Sequence, residues 1–394
     1  MGLCGLNGRQ APKRSFVLYP RRGQDVASEP RVTVHVPAML LFFDKYNMNI
    51  DYACFTSYTG YGFAARNYIL ALHKAFDIRI LSIDNTISKA IVRKQYDALK
   101  GLNDKKERPD AITLLHCIPQ MFRRIAAKGR QMAFATFEAL EPPQNWIDSY
   151  NALEAIIVPS RFCEKVFASV DVPIHYVPHC LDYTLYNDSI LPRKKYNKFT
   201  FLFSGTWSER KNWQTLINSW NKTFATNNDV LLVIHTRDKK KAESSIFNLL
   251  KKRIDNIVFI TDVLTDDELP SFYKSFNCLV APSLGEGFGY PGLQCLSVGV
   301  PILTMNYSGM KEYATENNAE LLEPEGFITQ KLMDGYFQFA NQKWPYISIN
   351  QLCDKMLWVY GNWDKAKEKT NSSELAREFG YNITRERFER ILKW

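Results

Sequence analysis

The sequence has no hydrophobic run long enough to cross a bilayer. A transmembrane helix needs about 20 consecutive apolar residues, whereas the longest apolar runs here, such as Val36 to Phe43, suit a buried strand or helix. Residues Met1 to Leu6 also lack the hydrophobic segment of a signal peptide and the Ser/Thr of a myristoylation motif. We therefore expect a cytoplasmic protein and leave peripheral contact with an anionic membrane open.

Patterns that bind metals or form disulfides are missing as well. The eight cysteines lie far apart, form no C-x-x-C pair, and in several cases fall within apolar runs. This spacing favours buried thiols over zinc ligands or disulfide bridges. No acidic D-x-D pair with an evident metal role occurs, and we predict neither a metal site nor a bound cofactor.

Composition sets further limits. The 394 residues exceed the roughly 250–300 at which a single core stops growing, so two domains are expected. The 46% hydrophobic and 23% charged fractions exclude global disorder. A net charge of +9 favours anionic partners, namely diphosphates, acidic lipid surfaces or nucleic acid. The basic runs Lys239 to Lys241 and Lys251 to Arg253 are typical of solvated helix faces.

Short apolar runs alternate with amphipathic stretches, and this alternation predicts parallel strands joined by crossover helices. Expected helices include Phe63 to Phe76, Arg161 to Ala168 and Trp213 to Trp220. The expected strands of a first series are Ile50–Thr56, Ile78–Ile83, Ala111–Cys117, Met132–Phe137, Ala155–Pro159 and Ile174–Val177; those of a second are Phe199–Ser204, Val230–His235, Ile257–Ile260, Cys278–Ala281 and Val300–Met305.

The fold class is therefore α/β, with two Rossmann-like, doubly wound parallel-sheet domains that face each other across a cleft. We expect residues 1–183 to form the first domain, with an irregular or extended start over 1–48. Residues 184–198 have neither helical nor strand periodicity and form the linker. The second domain spans 199–372, and 373–394 form a C-terminal helix, whose packing back on the first domain stays open.

Ligands of doubly wound sheets bind beyond the carboxyl ends of the strands, which directs attention to three loops. The loop Thr59 to Gly62 runs directly into a helix, whose N-terminal N–H groups suit a phosphate. In Ser204 to Asn212, Arg210 and Lys211 stand at a helix start, where positive charge is unfavourable unless an anion is bound. A diphosphate would be such an anion, and a solvated basic turn is the alternative.

The third loop, Pro282 to Gln294, carries the strongest signal. Glycines at 285, 287 and 289 expose backbone N–H groups, and Pro291 can begin a helix. Glu286 would face the cleft, while Gln294 would lie one to two turns inside the helix, near its start. This arrangement would hold a sugar and its nucleoside together.

With the segment Phe201 to Lys211, this loop resembles the retaining family 4 glycosyltransferases of the GT-B fold, within the glycosyl transferases group 1. Their signature is Glu, seven residues, Glu in an EGFG-x-P setting, and Glu286 to Pro291 matches it, as Gly299-Val300-Pro301 matches its Gly-x-Pro end. The resemblance extends over most of the chain, and only residues 1–48 lack an evident counterpart.

The resemblance implies a hexosyltransferase that moves a sugar from a UDP- or GDP-linked donor to an acceptor hydroxyl of a glycan or glycoconjugate. Lys211, with Arg210, would neutralise the donor diphosphate, and Glu286 would contact the transferred sugar. The implied donor-binding residues are Gly60, Gly62, Gly205, Thr206, Val263, Phe288, Gly289 and Gln294. His116 would lie near the sugar, unless it is only a satisfied loop histidine, and Glu138 is an acceptor-side candidate or a structural carboxylate.

Two positions depart from the family. Gln294 replaces the second glutamate, so a neutral amide would meet the ribose hydroxyls without charge assistance. Thr206 stands where many relatives have an arginine, for which Arg210 could compensate.

Other functions remain open at this stage. A nucleotide-sugar epimerase or a phosphorylase could use the same fold, because fold does not dictate chemistry. A catalytically silent protein that binds nucleotides or nucleic acid is a further alternative, with nucleic acid the less favoured partner. The acceptor, the sugar, the base and the oligomeric state do not follow from the sequence.

Overall fold

The computed structural model describes residues 48–84, 96–103, 105–125, 129–334 and 337–393. The irregular start expected for residues 1–48 lies outside this part of the chain, except for Met48.

A first sheet of six parallel strands forms from the apolar runs of the N-terminal half. Its strands follow the order β2-β1-β3-β4-β5-β6. Strands β3 and β5 are buried at every position, as expected for parallel strands covered on both faces. The strands are β1 Asn49–Cys54, β2 Asp77–Ser82, β3 Ile112–His116, β4 Gln131–Phe134, β5 Ala155–Val158 and β6 Ile174–Tyr176.

A second sheet of six parallel strands follows, in the order β12-β11-β10-β7-β8-β9. Read from β9, this is the 3-2-1-4-5-6 order of a dinucleotide-binding sheet, with its switch point between β7 and β10. The strands are β7 Phe199–Ser204, β8 Val230–His235, β9 Ile257–Ile260, β10 Cys278–Ala281, β11 Ile302–Met305 and β12 Glu320–Leu322. Strands β7 to β10 have the predicted bounds, and the expected α/β class with two Rossmann-like sheets is confirmed.

Helices connect the strands and cover the sheets. They are α1 Gly60–Leu72, α2 Tyr96–Asn103, α3 Gln144–Asn151, α4 Arg161–Val166, α5 Trp213–Thr223, α6 Lys239–Leu250, α7 Leu269–Tyr273, α8 Tyr290–Ser297, α9 Ile349–Gly361, α10 Trp363–Glu368, α11 Ser372–Phe379 and α12 Tyr381–Leu392. Short 3₁₀ turns occupy Pro119–Arg124, Glu209–Lys211 and Ser308–Glu312. Within the described residues, none of these helices is both long enough and apolar enough to cross a membrane.

The single C-terminal helix expected over 373–394 is instead two helices, because the chain leaves helical geometry at Gly380, between α11 and α12. Helix α12 packs on α1, and Phe388 and Leu392 are buried in the core of the first sheet. The hydroxyl of Tyr381 donates to Asn67 Oδ1 of α1 at 2.8 Å. The end of the chain thus returns to the N-terminal half.

An antiparallel hairpin, β13 Gly326–Asp334 and β14 Phe337–Tyr346, was not predicted from the sequence. It follows the second sheet but reaches the first half of the chain. Gln342 exchanges two hydrogen bonds with the backbone of Glu141, of 3.0 and 2.9 Å. Trp344 is buried in the same apolar cluster as Phe137 and Trp146.

The seven cysteines in the described residues are buried and form no disulfides, as their spacing predicted.

Candidate active site

A cavity of about 640 Å³ opens where the carboxyl ends of the strands of both sheets meet. In the second sheet, the loops after β7 and β10 flank the switch point, which is where a crevice forms in this strand order. In the first sheet, the loops after β1 and β3 contribute. Residues from all four loops line the cavity, among them Gly60, His116, Lys211 and Glu286.

Arg210, Lys211 and Glu286 form an ionic cluster in this cavity, in which Arg210 and Glu286 are buried and Lys211 is partly buried. The Lys211 ammonium Nζ lies 2.6 Å from Glu286 Oε1, and Arg210 Nη1 lies 3.1 Å from Glu286 Oε2. Arg210 also donates to the carbonyl of Gly285 at 2.6 Å, and the Oγ of Ser308 accepts from the Glu286 N–H at 2.9 Å. Glu286 is therefore held through both its carboxylate and its backbone N–H.

The two cations set the charge state of Glu286. Burial alone would raise the pKa of its carboxyl, but the charges of Arg210 and Lys211 outweigh burial and lower the pKa to about 2. Glu286 is therefore ionised at neutral pH. The cluster keeps a net charge of +1, from two cations and one carboxylate, and it can still attract an anion.

The sequence suggested that a bound diphosphate would be the anion beside Arg210 and Lys211. In the structure, the Glu286 carboxylate takes that place. From the sequence, the two cations were assigned to the diphosphate and the carboxylate to the transferred sugar. In the structure, these groups are in direct contact with each other. A diphosphate that enters this cavity would share the two cations with Glu286.

The loop after β10 presents a row of backbone N–H groups. No acceptor for the N–H of Phe288, Gly289 or Tyr290 exists within the part of the chain that the structure describes. Gly289 has φ 90° and ψ 57°, a left-handed conformation that favours glycine, and it directly precedes α8. All three residues line the cavity, and such N–H groups bind phosphate or sugar oxygens.

Gln294 is the fifth of the eight residues of α8 and is buried. Its Nε2 donates to the hydroxyl of Tyr186 at 2.8 Å, so its amide oxygen is the atom left to accept from a ligand. Gln294 lines the cavity, as do Gly205, Thr206 and Val263.

Gly62 is placed differently from the other predicted residues. It is not part of the cavity lining, and a Cβ at this position would lie 1.9 Å from the carbonyl oxygen of Ser57. Its N–H donates to Oγ1 of Thr59, which caps α1. The structure thus accounts for this glycine by close packing at the helix start.

His116 ends β3 and lines the cavity. Its ring stacks on Phe134 at a centroid distance of 4.1 Å, and its Nδ1 lies 2.9 Å from the hydroxyl of Tyr52. Burial, together with the nearby His179, lowers the pKa of His116 well below its ordinary value. It is therefore a neutral hydrogen-bonding group at pH 7. Glu138, the acceptor-side candidate, lines the same cavity.

Sequence reasoning missed several lining residues. Arg66 of α1 forms a buried, two-pronged ion pair with Asp266, which follows β9, at 2.6 and 2.8 Å. Arg237 lies 3.7 Å over the ring of Tyr58 and donates to its carbonyl. The Arg66 pair joins residues 200 positions apart, and only the position of each residue next to a strand-end loop could have suggested it.

Parts of the sequence and the fold have counterparts among known proteins. Residues 190–334 match the family described as Glycosyl transferases group 1. A protein of Sulfolobus islandicus filamentous virus (isolate Iceland/Hveragerdi), named as a candidate glycosyltransferase 45, is 20% identical over 291 residues, which are 69% of this chain and 77% of the viral protein.

Solved structures of similar fold include HepE of Anabaena in complex with UDP and glucose, with a TM-score of 0.63 and 11% identity over 88% of this chain and 99% of HepE. Sucrose-phosphate synthase of Thermosynechococcus elongatus has a TM-score of 0.62 and 12% identity over 88% of this chain and 98% of the synthase. These likenesses show the GT-B fold.

Proposed function

We propose that this protein is a retaining hexosyltransferase, because residues 190–334 match the glycosyl transferases group 1 family and the chain has the GT-B fold. It moves a sugar from a UDP- or GDP-linked donor to a hydroxyl of a glycan or glycoconjugate, without a metal ion. The observation that carries the proposal is the cluster of Arg210, Lys211 and Glu286 beside the unpartnered N–H groups of the loop after β10.

In this mechanism, the bond between the sugar C1 and the diphosphate oxygen breaks, and negative charge develops on the leaving oxygens. Lys211 and Arg210 stabilise that charge, with support from the N–H groups of Phe288 and Gly289. Positive charge develops on the sugar ring, and the ionised Glu286 lies within reach to stabilise it. Basic side chains take the place that a metal ion holds in other transferases.

The acceptor hydroxyl attacks C1 from the face that the diphosphate leaves. A new C1–O bond forms on that face, so the anomeric configuration is retained, and the proton of the hydroxyl passes to a diphosphate oxygen. His116, which is neutral, would hydrogen-bond to the transferred sugar, and Glu138 would contact the acceptor. The remaining donor contacts come from Gly60, Gly205, Thr206, Val263 and Gln294.

Structural relatives support the choice of donor. The HepE structures contain UDP or UDP-glucose, and a related structure from Burkholderia xenovorans is a UDP-forming trehalose-phosphate synthase with glucose-6-phosphate. Thermal-shift screening against UDP, GDP and their sugars identifies the base. A ligand at about 100 times its Kd adds roughly 2.7 kcal/mol to the free energy of unfolding.

The decisive experiment measures turnover of wild type, Lys211→Met and Glu286→Gln with the donor that this screen selects. Each variant should lose at least about tenfold in kcat, which corresponds to roughly 1.4 kcal/mol of transition-state stabilisation. Lys222→Met is a matched control, because Lys222 is an exposed cation that binds Asn350 on the surface. Unchanged rates in both site variants would remove these residues from the mechanism.

Two further measurements test the finer assignments. The anomeric coupling constant of the product, measured by NMR, should match that of the donor; the opposite configuration would exclude retention. Activity should persist in excess chelator, and loss that added Mg²⁺ or Mn²⁺ restores would exclude metal independence.

A further inference from the structure

Tyr313 forms a hydrogen bond with the backbone of the loop after β10, which carries the unpartnered N–H groups. The hydroxyl of Tyr313 donates to the carbonyl of Gly289 at 2.5 Å, and that carbonyl also accepts from the N–H of Gly292 at 3.1 Å. Tyr313 is 3% exposed. With Gly289 and Gly292, it lines a small chamber of about 20 Å³ that also contacts Lys211 and Glu286 of the ionic cluster.

Anchoring this carbonyl fixes the direction of an N–H group. Gly289 and Tyr290 share one peptide unit, and in a planar trans peptide the C=O and the N–H point in opposite directions. The Gly289 carbonyl points towards Tyr313. The N–H of Tyr290 therefore points away from Tyr313, and both residues of this peptide line the main cavity.

Without this anchor, the Gly289 carbonyl would keep only the longer hydrogen bond from the Gly292 N–H among the contacts of the described residues. Glycine populates left-handed and right-handed conformations almost equally, so Gly289 itself does not prevent rotation of the peptide plane. Pro291 has no N–H, and Tyr290 is the first residue of α8 and has no helical acceptor. The Tyr313 hydroxyl is the side-chain contact that selects one orientation.

Two glycines, Gly289 and Gly292, leave the space that the Tyr313 side chain occupies. A Cβ at position 292 would lie 2.4 Å from the Tyr313 hydroxyl oxygen and 2.8 Å from its ring, so any larger residue would displace the tyrosine. A Cβ at position 289 would also lie 2.9 Å from that oxygen. Gly289 and Gly292 thus form the slot in which the Tyr313 ring lies.

We infer that Tyr313 is a positioning residue for phosphate recognition: it orients the Gly289–Tyr290 peptide so that the Tyr290 N–H donates to the diphosphate of the donor. This inference rests on the proposed function, since the ligand is the diphosphate of a nucleotide sugar. Tyr313 acts through the backbone and does not itself touch the ligand.

The test compares Tyr313→Phe with wild type by calorimetry and kinetics. The probes are the nucleoside diphosphate that wild type binds, UDP or GDP, and the corresponding nucleoside without phosphates. The Kd of the diphosphate and the KM of the donor should each rise about 5- to 20-fold, because one charge-assisted hydrogen bond is lost. The nucleoside Kd and the acceptor KM should stay within about twofold.

Tyr183→Phe is the matched control. The Tyr183 hydroxyl bonds to Oγ of Ser297 at 3.0 Å, away from the cavity lining, so its removal should affect stability and leave diphosphate affinity unchanged. Gly292→Ala should reproduce the Tyr313→Phe defect, and the two changes together should not add, since both abolish one contact.

The outcomes separate the two proposals. If wild type binds neither UDP nor GDP, the proposed function fails, and this inference fails with it. If wild type binds a diphosphate and Tyr313→Phe binds it equally well, only this inference is overturned. An equal loss for nucleoside and diphosphate also overturns it, because that pattern indicates general damage to the site.

Discussion

At the scale of single residues, burial keeps His116 and His179, two of the three histidines that line the cavity, in the neutral form. Burial lowers the pKa of His179 to about 3, and the pKa of His116 is also lowered. His179 is held by Tyr68, whose hydroxyl lies 3.1 Å from Nδ1, and by a parallel stack with Tyr290 at 4.9 Å. That hydroxyl donates to the carbonyl of Val177, so Nδ1 of His179 must carry the proton.

This environment predicts acid sensitivity. Between the folded and unfolded pKa values the unfolded chain binds more protons, so the histidines stabilise the fold fully above pH 6.5 and lose that contribution as the pH falls. His179 alone should lower the free energy of unfolding by about 2 kcal/mol between pH 7 and pH 5. Urea unfolding at both pH values should show a smaller decrease for His179→Gln than for wild type. Equal decreases would show that His179 is not buried in its neutral form.

The sequence pointed to some residues of the site and not to others, for a physical reason. Lys211 and Glu286 lie in loops where local features carry the signal, namely adjacent cations at a helix start and glycines that flank a carboxylate. The Arg66–Asp266 pair has no local signal, because each residue is an ordinary charge until the fold brings them together. Tyr313 likewise becomes informative only beside Gly289 and Gly292.

At the scale of elements, the hairpin β13–β14 depends on contacts outside itself. Gln342 of β14 is buried, and its amide satisfies both the N–H and the carbonyl of Glu141. Gln342→Ala should lower the free energy of unfolding by about 1–3 kcal/mol, because two buried backbone groups lose their partner. Lys343→Ala, the exposed neighbour on the same strand, should change it by less than about 0.5 kcal/mol. Equal effects in urea unfolding would mean that the hairpin does not tie the two halves together.

Dependence on long-range contacts also explains which elements could be predicted from the sequence and which could not. Strands β7 to β10 are short apolar runs between turn residues, and their composition alone sets their bounds. The hairpin lacks such a signal, since Gln342 and Trp344 are buried by the N-terminal half rather than by a sheet of their own. Similarly, the break between α11 and α12 at Gly380 coincides with a bridge to Leu181, a long-range contact.

At the scale of the whole molecule, the two halves around the cavity are joined by the Arg66–Asp266 pair. Arg66 is 2% exposed, and besides Asp266 its guanidinium donates to the carbonyls of Thr56 and Ser57 in the loop after β1. The pair thereby links this loop to the loop after β9. Both partners line the cavity, so the link forms part of the site itself.

Removing one partner of this ion pair should lower the free energy of unfolding strongly, whereas replacing both partners by apolar residues should lower it much less. Asp266→Ala leaves a buried guanidinium without its counter-ion, and about 3–5 kcal/mol of unfolding free energy should be lost. Asp262→Ala is the control, because this aspartate of the same loop is 61% exposed and pairs with Arg193 at only 3.7 Å. The double variant Arg66→Met with Asp266→Leu should recover most of the loss, since apolar groups of similar volume need no counter-ion. If the double variant were as unstable as Asp266→Ala, the cost would come from lost packing rather than from the unpaired charge, and the pair would not be an electrostatic link between the halves.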